Sequence, residues 1–154
     1  MLRGVNSASS GDIIKVAAGN YTENITINAL SVRIIGESPE TTKITGSSIC
    51  LNITGSFSAG SNLVEIAGFT VVGGSDCGIK NSSATALLYI HNNIITGNNN
   101  GIFNAYSAIV VNCVIIANSG SGVYINNNGN ISVSNSIVVL NKYGLYRYTG
   151  IFNS

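Results

Sequence analysis

Short runs of β-branched residues alternate with clusters of Asn, Gly and Ser along almost the whole chain. The stretch "NNIITGNNNGIFN" (92–104) is typical, with turn formers set around isoleucines that prefer strands. The apolar runs are too short for helices, and Ile, Val, Asn and Gly are poor helix formers. The pattern also repeats. A Gly followed by an apolar residue recurs at Gly78-Ile79, Gly101-Ile102, Gly122-Val123 and Gly144-Leu145, a period of about 22 residues. Ile90, Val111 and Val133 stand at one fixed offset before the last three of these anchors, and Ile94, Ile115 and Ile137 at another. In the first row the matching residues are Ile66 and Phe69 to Val71, with one extra residue in the turn.

Such a period, built from short strands and sharp turns, predicts a solenoid in which each repeat is one coil of three strands. The expected fold is all-β: a right-handed, single-stranded parallel β-helix of about six coils, with equivalent residues stacked about 4.8 Å apart. Ile94, Ile115 and Ile137 are then expected to form one internal stack, and Ile102, Val123 and Leu145 another. Ile66, Ile79, Ile90, Val111 and Val133 complete the inward set. Gly at the anchors and Asn at the corners are expected to supply left-handed backbone. Asn92 and Asn135, with Cys113 between them, are placed where side-chain amides bond along the axis, and Asn98 and Asn141 share another row position. One domain spans 1–154: a cap region over 1–11, irregular coils over 12–60, and regular repeats over 61–154. At most a brief capping helix over the open end is expected of "LRGVNSAS".

The stretch "GNYTENITI", followed by "VRIIGESPETTKITG", resembles the opening coils of pectin-methylesterase-like proteins, within the pectin-lyase-like group of β-helices. The later Asn-x-Ile rows resemble the generic β-helix repeats of periplasmic and surface proteins. This resemblance implies the fold and says little of function, because such repeats reflect packing and host many activities. The esterase chemistry of that family uses two Asp, an Arg and a Gln. This chain has no Gln, and Asn99-Asn100 stand where the family carries Gln-Asp.

Composition narrows the field. The 154 residues are 45% hydrophobic and 8% charged, with a net charge of +1 and no Lys/Arg cluster, so nucleic acid and membrane insertion are not expected. No apolar leader opens the segment, yet the composition suits an extracellular or cell-surface module. Acceptor sequons occur at Asn20, Asn24, Asn52, Asn81 and Asn130. Cys50, Cys77 and Cys113 are widely spaced and suggest small buried thiols, with no disulfide framework, metal site or cofactor.

No pair of carboxylates is expected to stack, since Glu65 matches Tyr89 and Val110, and Asp76 matches the neighbourhood of Asn99 and Ser121. Catalytic residues are therefore not expected. Glu23 reads as a turn residue bonding backbone amides, and His91 as a solvated surface residue. One exterior row stands out: Lys80, Phe103, Tyr124 and Tyr146 follow the anchors in consecutive repeats, with Tyr143 and Tyr148 close by. It reads as a stabilising ladder, a protein contact or a sugar-stacking platform.

Two functions remain. The first is a non-catalytic structural module that self-associates head to tail into filaments, through Ile13 and Ile14 at one end and Leu145, Ile151 and Phe152 at the other. The alternative is a carbohydrate-binding or polysaccharide-processing module whose partner is a polysaccharide held on the aromatic ladder.

Overall fold

In the computed structural model, which describes residues 1–153, the chain winds into a parallel β-solenoid of six coils with three strands each. A short helix, α1 (Leu2–Ser7), precedes the first coil and buries Val5 against it. The coils are β1 (Ile13–Val16), β2 (Gly19–Thr22), β3 (Ile25–Asn28); β4 (Arg33–Gly36), β5 (Thr42–Thr45), β6 (Ile49–Thr54); β7 (Leu63–Ala67), β8 (Thr70–Val72), β9 (Cys77–Asn81); β10 (Leu87–His91), β11 (Ile94–Thr96), β12 (Asn100–Asn104); β13 (Ser107–Val111), β14 (Val114–Ile116), β15 (Ser121–Ile125); and β16 (Asn130–Ser134), β17 (Ile137–Val139), β18 (Tyr143–Arg147). A last strand, β19 (Ile151–Asn153), adds to the first sheet. Residues 12–60 follow the same winding as the rest, with longer turns.

Every third strand pairs in parallel, giving three sheets: β1-β4-β7-β10-β13-β16-β19, β2-β5-β8-β11-β14-β17 and β3-β6-β9-β12-β15-β18. One inward row runs Ile34, Ile66, Ile90, Val110 and Val133, another Ile44, Val71, Ile95, Ile115 and Val138, and a third Leu51, Ile79, Ile102, Val123 and Leu145. Most of these side chains have no exposure at all. They fill the interior as stacked like-on-like apolar layers.

Three expectations about facing need correction. Ile94 and Ile137 lie on the outside, paired in register with Val114, while Ile95, Ile115 and Val138 face in. Val111 is likewise outward and Val110 inward. The reason is one extra residue in the turn between β14 and β15. Asn118 is in register with Asn98, but Ser121 pairs with Asn100 and Val123 with Ile102, so the fifth coil spends its additional residue after Asn118. Counting back from the Gly anchor carried that shift into the strands before the turn. A slip of one residue inverts a strand's facing.

Corner chemistry is also divided differently from the expectation. Asn92, Asn112 and Asn135 do adopt left-handed backbone, with φ of 54°, 52° and 46°, at one corner. The anchor glycines do not. They are small because coils touch there: a Cβ on Gly101 would lie 2.6 Å from the carbonyl oxygen of Gly122, and one on Gly122 would lie 2.8 Å from that of Gly144.

The amide ladders do not use the Asn92–Asn135 row. Asn98, Asn118 and Asn141 form the longest: each Nδ2 donates to the next Oδ1, at 3.1 and 2.9 Å, and the backbone N–H groups of Gly74, Asn98 and Asn118 donate to the Oδ1 of the coil below. A second ladder joins Asn81 Nδ2 to Asn104 Oδ1 at 3.1 Å. The expected rung at Cys113 belongs to the row Asn93–Cys113–Ser136, in which Asn93 bonds the backbone at Phe69, Ile66 and His91. Buried amides of this kind satisfy corner backbone groups that no strand reaches.

Candidate functional site

The exterior ladder forms as the repeat implies. In register across β9, β12, β15 and β18 stand Lys80, Phe103, Tyr124 and Tyr146. Asn52 on β6 and Thr26 on β3 continue the row toward the first coil. The Phe103 and Tyr124 ring centroids are 5.0 Å apart, and Tyr124 and Tyr146 are 5.2 Å apart with planes only 19° from parallel. Rings that close and that nearly parallel can only face one another with an offset. One face of Tyr124 is therefore stacked on Tyr146, while Phe103 meets Tyr124 at a tilt of 50°. Lys80 Nζ lies 5.1 Å from the Phe103 centroid, and Tyr143 lies 5.3 Å from Tyr146. Tyr148 is the most exposed of the group at 69% and sits in the turn beyond β18, outside the row. Only the Tyr124–Tyr146 pair is stacked face to face; the Phe103–Tyr124 and Tyr143–Tyr146 pairs are tilted.

A second cluster escaped sequence reasoning. Arg33, Glu65 and Tyr89 share an outward row of the first sheet, and His91 stands two residues along from Tyr89. The Arg33 guanidinium donates to Glu65 through Nε and Nη2, and His91 Nε2 lies 2.9 Å from Glu65 Oε1. The Tyr89 and His91 rings are 4.5 Å apart. Glu65 is thus buried on the outside of the sheet, 6% exposed, and the paired guanidinium holds its carboxyl below the usual carboxylate range. His91 is not a freely solvated residue. Its ring is a lid on the carboxylate and also meets Asn92 Nδ2 at 3.1 Å through Nδ1. Register shows Ile109, not Val110, beside Tyr89. The only sequence signal for this cluster was that outward Arg and Glu fall in one row of neighbouring coils, visible once the register of the irregular second coil is known.

Asp76 pairs with Lys80 at 3.2 Å, and Glu23 binds the α-amino group of Met1 at 2.9 Å and the Leu2 amide at 3.0 Å. Glu23 therefore does bond backbone, as expected, and thereby anchors α1. Among the described residues no three His, Cys, Asp or Glu side chains come together as a metal site. A groove of about 430 Å³ along the corner from Gly73 to Ser119 is lined only by Gly, Ser, Asn and Ala. All three thiols are buried, and burial pushes each of them up, Cys77 to about 12.

The sequons differ in access. Asn20, Asn24 and Asn130 are exposed, although Asn24 already bonds Ser47 and Asn130 accepts from Asn153. Asn52 is half-buried, and Asn81 is fully buried in its ladder.

The two ends of the solenoid are unlike. At the first coil Ile14 is packed under α1, and Ile13 points sideways out of the first sheet, 51% exposed. α1 lies over that end as the cap that the expected contact through Ile13 and Ile14 would have to displace, and β1, β2 and β3 each pair on one side only. At the sixth coil β17, β18 and β19 each pair on one side only. Leu145 and Phe152 occupy inward positions there, while Ile151 faces outward. No protein-family model, curated protein or solved structure matches the chain.

Proposed function

We propose that the chain is a non-catalytic structural module of an extracellular or cell-surface β-solenoid, akin to the pectin-lyase-like group, whose sixth coil receives another coil. The observation that carries this reading is the last inward row. Leu145 is 48% exposed, whereas Ile102 and Val123 in the same row have no exposure. Unpaired strand edges flanked by apolar side chains are templates for further pairing. The ladders support the same reading, because the amide and aromatic stacks both run from coil to coil into this one.

The test is the solution state of the purified chain, by sedimentation velocity over a wide concentration range. Association that grows with concentration is expected; a strict monomer throughout would remove the reading. The catalytic alternative finds no pair of facing carboxylates, since Glu65 is tied to Arg33 and Asp76 to Lys80. No turnover of uronate polymers is therefore expected. Turnover lost in Glu65→Gln or Asp76→Asn would overturn that expectation. The polysaccharide-platform alternative has less support, because Tyr124 and Tyr146 stack on one another and so withdraw one face each from a sugar.

A further inference from the structure

We propose, resting on the extracellular reading above, that Asn20 is the N-glycosylation site of this chain, the one of its five sequons that the fold leaves fit to carry a sugar. The sequon Asn20-Tyr21-Thr22 lies within β2, where residues two apart face the same side. Asn20 and Thr22 are therefore outward neighbours, and both are exposed. Tyr21 between them is half-buried against the core and donates its hydroxyl to the Ala17 carbonyl at 2.9 Å. The acceptor amide and the hydroxyl two residues on, which the acceptor rule requires, thus stand together on one open surface. Among the described residues nothing bonds the Asn20 amide, and its row neighbour Lys43 is itself exposed.

A sugar replaces one hydrogen on Nδ2, so an amide already engaged by the fold is a poor carrier. Asn81 is the extreme case. It is fully buried, its Nδ2 donates to Asn104 Oδ1 and to the Ser107 carbonyl, and its sequon hydroxyl, Ser83, is buried against the Gly55 carbonyl. A glycan there would break those bonds and force the turn open. Asn52 is half-buried in the row between Thr26 and Lys80, and its Oδ1 is covered. Asn24 engages both amide atoms with Ser47, each at 3.0 Å. Asn130 faces outward, yet Asn153 holds its Oδ1 at 2.6 Å and its row neighbours Ser107 and Ile151 stand on either side. In the transfer, Nδ2 of Asn20 loses one hydrogen as a proton and bonds the anomeric carbon of a polyprenyl-pyrophosphate-linked oligosaccharide. The bond from that carbon to the pyrophosphate breaks, and the pyrophosphate leaves with the electron pair, so nothing is oxidised or reduced. The acceptor meets the transferase as the chain emerges, before it folds, and the fold then selects which modified chains can close their coils.

The test expresses the full chain behind a cleavable secretory leader in a eukaryotic host that N-glycosylates. The folded fraction is the material with a β-rich circular dichroism spectrum and a cooperative melt. Peptide N-glycosidase in heavy-oxygen water then converts each sugar-bearing Asn to a heavy Asp, which peptide mass mapping locates. The heavy residue is expected at position 20, with the other four acceptors light. Asn20→Gln and Thr22→Ala should each remove one mobility step on a gel and leave the fold unchanged, and Thr22→Ser should restore the step. A folded fraction that is light at position 20, or one whose main heavy residue is any other acceptor, would overturn the assignment. Coil stacking is read separately, by sedimentation of the sugar-free chain, so the two readings fail independently.

Discussion

Cys113 occupies a rung where an amide would serve better. Its sulfur makes only long contacts to the carbonyls of Val111 and Ile90, at 3.4 and 3.8 Å, whereas Asn93 one coil above bonds three backbone groups. The sites are similar in size, so Cys113→Asn should add hydrogen bonds without overpacking and raise stability by about 1 kcal/mol. The check is an upward shift of the urea midpoint with unchanged slope. Glu65 gives a prediction in the opposite direction. Hydrogen bonding to Arg33 lowers its folded pKa. The charged form is then favoured in the folded state, so this contribution is present above the ordinary Glu pKa and is lost as pH falls through the lowered folded value. Acid titration of stability should show that loss in the wild type, and Glu65→Gln should flatten it. A curve unchanged by the substitution would mean that the pair is electrostatically idle.

The facing of whole strands follows from register, and β11 tests it cleanly. Ile95 has no exposure, whereas Ile94 lies on the outer surface beside Thr70 and Val114. Ile95→Asp should therefore abolish folding, because a buried carboxylate there has no partner. Ile94→Asp should be tolerated, with a loss of about 1 kcal/mol or less of β-propensity and packing. Equal damage from the two would refute the assignment of faces. How much of this was legible in the sequence depends on the element. The period and the outer row of Lys80, Phe103, Tyr124 and Tyr146 were legible, because they depend on the Gly anchors and the residues just after them. The faces of β11, β14 and β17 were not uniformly so. The run Ile94-Ile95 is apolar at both positions and carries no alternation to fix its face, and the extra residue after Asn118 shifts the count. Asn118 itself was hidden for the same reason, although it joins Asn98 and Asn141 in one ladder. The Arg33–Glu65–His91 cluster was hidden by the long turns of the second and third coils, whose register only pairing across sheets reveals.

At the scale of the molecule the structure is a column of nearest-neighbour contacts. Each coil is held by those directly above and below it, and stability in such columns is a sum of local and interface contributions. The column is asymmetric, with a helix over the first coil and one uncovered face on the sixth. This asymmetry gives unfolding a direction. In the isolated subunit, opening should begin by fraying at β17, β18 and β19 and travel toward α1, in the graded manner by which local opening precedes global unfolding. The chain carries its own reporters, since Cys113 lies in the fifth coil, Cys77 in the third and Cys50 in the second, all sealed from reagent in the folded state. Under native conditions with a thiol reagent in excess, Cys113 should be modified first, Cys77 later and Cys50 last. Simultaneous modification would show that the coils open as one unit. Stapling the sixth coil to another subunit should slow Cys113 most and Cys50 least, so three buried sulfurs become a clock that reads from which end the column comes apart.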